Sequence, residues 1–149
     1  MNFEDTIIDI FKVPAMSIET TIDVQPLLNF TYDLKSKDEG RHFSNVSGWQ
    51  SLDLDRDLNV FKEFRSTVET LANQFHNNLK LKKCYTQTLD NFWINVNPTG
   101  GSNKPHAHPN CVFSGVLYLQ TPVGCGNLNF SHPNRNHCYH FNQDTVEEF

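Results

Sequence analysis

Two histidines stand two residues apart in the peptide PHAHPN, and in an extended segment that spacing puts His106 and His108 on one face. Two neutral imidazoles so placed can reach one ion. Such donors suit iron, zinc, copper or nickel, whereas calcium and magnesium take oxygen, so the peptide points to a first-row transition metal. The same pair between Pro105 and Pro109 also suits a plain surface loop, and spacing alone leaves both readings open. A second concentration of donors, His132, His137, Cys138 and His140, puts four zinc-type ligands within nine residues. Its spacing matches no standard finger, and Asn134, Arg135 and Asn136 between the donors favour a solvated loop. His76 lies in a helical pattern with no second histidine four residues away, and is expected at the surface or an edge with no chemical role.

The elements that must position the pair can be read on either side of it. Before it, FWINVNP alternates strictly, with Trp93, Asn95 and Asn97 on one face and Phe92, Ile94 and Val96 on the other. The polar face leads into the loop that presents His106; the asparagines there either line a wet pocket or face solvent on a one-sided sheet. The turn PTGGSNKP follows, then CVFSGVLYLQ as a strand, TPVGCG as a turn and NLNFS as another alternating run, which together predict antiparallel sheet of sandwich or jelly-roll type.

Upstream, Phe61, Phe64, Val68, Leu71, Phe75 and Leu79 recur every three or four residues and predict an amphipathic helix from about Leu58 to Leu81. Asp55 or Asp57 is its expected N-cap, and Lys80, Lys82 and Lys83 crowd its end. Its place is that of a buttress against one sheet. Earlier still, IIDIFKVPAMSIET reads as a short strand broken by Pro14, Val24 to Tyr32 as a helix, and Leu34 to Ser51 as a loop anchored by Phe43 and Trp49.

A chain of 149 residues with 38% hydrophobic and 19% charged residues is long and apolar enough for one folded domain, here divided into a helical and loop-rich support, residues 1–83, and a β-core, residues 84–149. Its net charge of −5 offers no basic stripe to neutralise phosphates, which argues against nucleic acid. No signal peptide and no membrane-spanning apolar run is found, and four irregularly spaced cysteines without a CxxC pair fit reduced thiols. The expected address is cytoplasmic, with no membrane partner.

The string NFWINVNPTGGSNKPHAHPNCVFSGVLYLQTPVGCGNLNFSHP resembles the core of a family of 2-oxoglutarate- and iron(II)-dependent oxygenases related to prolyl hydroxylases. Trp93, Asn95, Gly100, Asn103, His106, His108, Pro109, Ser114, Gly115, Val116, Tyr118, Leu119, Pro122, Gly126 and Phe130 fall on the family's pattern in order. The Ser44–Ser51 peptide SNVSGWQS looks like its Gly-Trp-Gln-Ser stretch, and the Phe11–Pro14 turn like its entry. The resemblance implies an α+β, mainly β fold: a double-stranded β-helix of jelly-roll or cupin type, with the helix as buttress. It implies Fe(II) as cofactor and 2-oxoglutarate as small-molecule cosubstrate. His106 and His108 take the metal pair's positions, although the wider superfamily has Asp or Glu where this chain has His108, which leaves open whether His108 binds directly. Tyr118 matches a tyrosine that holds the far carboxylate of 2-oxoglutarate; its other reading is a core aromatic with a tethered hydroxyl. Asn97, with Asn95, occupies the place of donors near the cosubstrate's other end.

The family's last metal histidine and its cosubstrate arginine come later than anything in this sequence. His132, His137, His140 and Arg135 come too early to replace them, so the β-helix is expected to be incomplete and the chain inactive by itself. Unpaired strand edges then predict a homodimer. Two non-catalytic alternatives are a metal-binding module and a jelly-roll binding domain that has lost its iron.

Overall fold

The computed structural model describes residues 13–131. In chain order they form α1 (Gln25–Lys37), β1 (Asn45–Val46), β2 (Trp49–Gln50), a 3-10 turn (Asn59–Phe61), α2 (Lys62–Asn78), β3 (Asn95–Val96) and β4 (Ser102–Asn103). This is a small α+β arrangement of two helices and short antiparallel strands. No described helix is long and apolar enough to cross a membrane.

Helix α1 begins where Pro26 fixes φ in the first turn and Asp23 Oδ1 accepts the Gln25 amide at 3.0 Å. It runs past Tyr32, through residues expected to be loop. Lys37 reaches back four residues to Asp33, and Ser36 Oγ donates to the Asp33 carbonyl, so short polar side chains here bind within the helix. The segment IIDIFKVPAMSIET lies outside the described residues up to Lys12, and from Val13 onward it forms no strand.

The rest of the expected loop is held in a defined shape. Trp49 anchors it as expected, its indole N–H donating to the Asp38 carbonyl at 2.9 Å, whereas Phe43 is 71% exposed and anchors nothing by burial. Asn45, itself buried, accepts the Phe43 amide and donates to the carbonyls of Arg41 and Gly48. A Cβ at Gly48 would lie 2.1 Å from Asn97 Oδ1 and 3.3 Å from the Val96 carbonyl, so the Asn97 side chain would have to move to admit one. This packing lets β1 pair with β4 and β2 with β3, in register Asn45↔Asn103 and Gln50↔Asn95. Beyond β2 the pairing continues irregularly: the Ser51 amide donates to Ile94 O at 2.9 Å, and the Leu54 amide to Phe92 O at 3.0 Å.

The core sits between α1, the 3-10 turn and the start of the β3 segment. Phe61 is 1% exposed and meets Phe30 and Phe92 edge-to-face, with centroids 4.8 and 4.9 Å away, while Phe64 leans on Phe92 at 5.2 Å. The amphipathic helix is therefore present, but its first turn is 3-10 and neither expected aspartate caps it. The Asp55 carboxylate instead accepts the Asp57 amide, closing a turn before the helix, and Asp57 pairs with Arg65. At the other end Lys80 takes a positive φ of 54°, so the chain leaves the helix there and does not continue to Leu81.

His76 is not a surface residue. It is 3% exposed, with Nε2 3.0 Å from the Lys82 carbonyl and Nδ1 2.9 Å from Gln87 Nε2. A carbonyl only accepts and an amide nitrogen only donates, so the ring is neutral with its proton on Nε2. It ties the end of α2 to the strand-bound segment that follows. Asn73 does the same with the Gln87 backbone, and the Glu69 carboxylate accepts the Leu89 amide. His76→Leu, which keeps most of the volume, should leave both partners unsatisfied and cost about 1–3 kcal/mol in urea unfolding; an unchanged midpoint would contradict this role.

The expected strands CVFSGVLYLQ and NLNFS form no ladder among the described residues. A strand is defined by a neighbour's N–H and C=O groups, and no described segment pairs its backbone with either stretch. Burial within 112–120 still alternates: Phe113, Leu117 and Leu119 are half-buried, while Val112, Ser114, Val116, Tyr118 and Gln120 are exposed. Of the inner set Phe113 faces α2, its ring 5.1 Å from that of Phe75, and further on the exposed Gln120 accepts the Tyr32 hydroxyl of α1 at 2.8 Å.

Candidate metal centre

The alternation expected in FWINVNP positions the candidate site. Phe92 points into the aromatic core, and its neighbour Trp93 points the other way, onto His108 at 5.3 Å between ring centroids and 75° between planes. One strand thus connects the core on one face to the histidine pair on the other. The β1–β4 ladder holds the pair's other support. The Lys104 amide donates to the Ser44 carbonyl at 2.8 Å, continuing the Asn45↔Asn103 pairing, and this fixes the Lys104 carbonyl two residues before His106.

That carbonyl is 2.7 Å from His106 Nδ1. Because a carbonyl can only accept, Nδ1 carries a proton, and in the neutral ring Nε2 then keeps its lone pair. His106 and His108 come together as the spacing predicts, with centroids 4.9 Å apart and planes inclined by 41°. The chain then reverses at Pro109 and Asn110, the latter at φ 64°, a left-handed conformation that Asn tolerates better than most residues. The reversal brings Ser114 Oγ against His108 Nδ1. His108 Nε2 is buried and has no partner among the described residues. Such an orphaned nitrogen beside a second imidazole with a free Nε2 is a donor set that fits a transition metal ion, with the remaining ring nitrogens tied to protein oxygens as ligating histidines usually are.

Burial, and after it the nearby His106, lowers the His108 pKa below the ordinary histidine value of 6.5. The neutral, metal-competent form is therefore kept to lower pH. Since the folded-state value lies below the unfolded one, the contribution of His108 to stability is full above about pH 6.5 and is lost as pH falls through the lowered value. An NMR titration should place the His108 inflection below 6.5 and move it part of the way back in His106→Ala, which removes the smaller cause. An inflection at 6.5 or above would contradict the burial of this ring.

The other expected site residues lie near the pair without meeting it in the structure. Tyr118 is 55% exposed and shares the outward parity of residues 112–120 with Ser114. Asn95 and Asn97 are exposed, which is the solvent-facing reading of that polar face, and Asn97 donates to Asn103 Oδ1 at 3.0 Å. Among the described residues no three His, Cys, Asp or Glu side chains stand together as a metal site, so the two imidazoles have no third such donor beside them there. The cluster from His132 to His140 and Arg135 lie outside the described residues.

Sequence reasoning placed Trp93 and Ser114 on the family's pattern without giving them a role beside the pair, and missed the Lys104 carbonyl and Arg41, whose guanidinium lies over Trp93 at 5.5 Å and pairs with Asp53 at 2.6 Å. The Pro-Asn dipeptide after His108 is a turn signal that could have found Ser114, since a reversal there returns the following strand to the histidine. Arg41 stands in a loop far from the pair in sequence and carries no such signal.

No curated protein and no solved structure matches the chain. Residues 91–148, which carry Trp93, both histidines, Ser114 and Tyr118, match the family model described as "Putative 2OG-Fe(II) oxygenase", so this segment of the chain is similar to the 2OG-Fe(II) oxygenase family.

Proposed function

We propose that this chain carries the metal-binding part of an Fe(II)- and 2-oxoglutarate-dependent dioxygenase of hydroxylase type, with the ion held by Nε2 of His106 and Nε2 of His108. The observation that supports this reading is the pairing of two imidazoles whose Nδ1 atoms are engaged and whose Nε2 atoms meet no partner among the described residues, that of His108 being buried. When bound, iron with 2-oxoglutarate and oxygen supplies oxidative decarboxylation to succinate coupled to oxidation of an unactivated carbon–hydrogen bond.

The residues of this chain would bind, orient and shield. Two neutral imidazoles leave both positive charges of the ion uncompensated, where a carboxylate in place of His108 would remove one. That favours a dianionic cosubstrate such as 2-oxoglutarate. Tyr118 is the candidate donor to its far carboxylate. Asn97 is the candidate at its other end, with Asn95 beside it; Asn97 must release Asn103 to serve. Trp93 packs against His108 and limits water on that side. The alternating burial of 112–120, with Val112, Val116 and Tyr118 outward, supports the jelly-roll reading in which this face is an inner wall.

Anaerobic titration of the chain with iron(II) and 2-oxoglutarate tests the reading. A weak visible charge-transfer band should appear with wild type and not with His106→Ala. Iron binding without any such band would support instead a metal-binding module without the oxygenase cosubstrate.

A further inference from the structure

The Ser114–His108 contact goes beyond the metal pair itself, and what it does follows from counting protons. A serine hydroxyl can donate or accept, so the contact alone allows two tautomers of His108. If Ser114 donated, the proton of the neutral ring would sit on Nε2, as a buried N–H with no described residue to receive it. Orphaned buried N–H groups are rare, and leaving a buried donor unsatisfied costs about 1–3 kcal/mol. If Nδ1–H donates to Ser114 Oγ, what remains at Nε2 is a lone pair, which an ion can take up. The same logic already fixes His106, whose Nδ1–H has only a carbonyl to meet.

Resting on the metal reading above, we propose that Ser114 is a positioning residue: it accepts the Nδ1 proton of His108 and thereby holds the ring in the tautomer and orientation that present the Nε2 lone pair beside that of His106. The two histidines are then set by different supports. A backbone carbonyl fixed by the β1–β4 ladder holds His106, and a side chain returned by the Pro109–Asn110 turn holds His108. This arrangement makes His108 the adjustable member of the pair. Its presentation depends on a single hydroxyl, while that of His106 depends on main chain that substitution cannot remove.

The test has two arms on the whole chain. In the metal-free protein, nitrogen-resolved NMR should find His108 protonated on Nδ1. In Ser114→Ala that tautomer should give way toward Nε2–H, while His106 keeps its proton on Nδ1; Ser114→Thr, which keeps the hydroxyl, should restore it. In the second arm, anaerobic cobalt(II) titration should show affinity reduced about 10–100-fold in Ser114→Ala and restored in Ser114→Thr. Wild-type His108 protonated on Nε2, or a Ser114→Ala protein with unchanged tautomer and affinity, would overturn the proposal. If wild type bound no cobalt, the metal reading would fall, while the first arm would still decide whether Ser114 sets the His108 tautomer.

Discussion

Phe61→Ala is expected to destabilise the chain by about 3–5 kcal/mol, more than any other single substitution in the described core. Phe61 is 1% exposed and is gripped edge-to-face by Phe30 of α1 and Phe92 of the β3 segment, so truncation opens a cavity where three elements meet. The only other buried hydrophobic side chain among the described residues is Leu27, so little else could absorb the loss. Against a typical total of about 5–15 kcal/mol, the variant should show a much lower urea midpoint. Tyr85→Ala is the control: at 64% exposure it should shift stability by no more than about 0.5 kcal/mol. Equal midpoints for the two variants would show that the aromatic cluster is not the core.

Phe61 also illustrates what was legible in the sequence. Its recurrence with Phe64, Val68, Leu71 and Phe75 marked α2, because burying one helix face imposes a period that survives in the sequence. The strict alternation of FWINVNP likewise separated Phe92 from Trp93, and the structure uses both faces as expected. The features that were not legible depend on partners distant in the chain. His76 looked like an edge residue because the groups that satisfy it, the Lys82 carbonyl and Gln87, lie beyond the end of the helix. Asp55 looked like a helix cap because a cap and an Asx turn require the same residue type. CVFSGVLYLQ reads as a strand and keeps the alternation of one, yet a ladder also needs a neighbour, which no described segment provides.

The histidine pair was legible in its spacing, and its chemistry only in its surroundings. His-x-His allows a surface loop as readily as a ligand pair. What separates the two is that each ring has one nitrogen tied to a protein oxygen and that Nε2 of His108 is buried without a partner among the described residues. A surface histidine would give that nitrogen to water.

His106→Ala should therefore remove iron(II) binding by more than the about 10–100-fold that loss of an outer hydrogen-bond partner costs, because it deletes one of the two donors and not a support. The expected effect exceeds that of Ser114→Ala and is separable from folding, since His106 is exposed and its removal opens no cavity. Thermal unfolding of the metal-free variant should match wild type. A variant that loses iron together with its fold would show that the pair is structural.

The account turns on His106 and His108 holding one ion between them. Iron(II) stoichiometry by anaerobic equilibrium dialysis, compared between wild type and the His106→Ala/His108→Ala double variant, measures this directly. The account predicts one ion per chain in wild type and none in the folded double variant. Retention of the ion in the double variant would contradict it and move the metal to other donors in the chain.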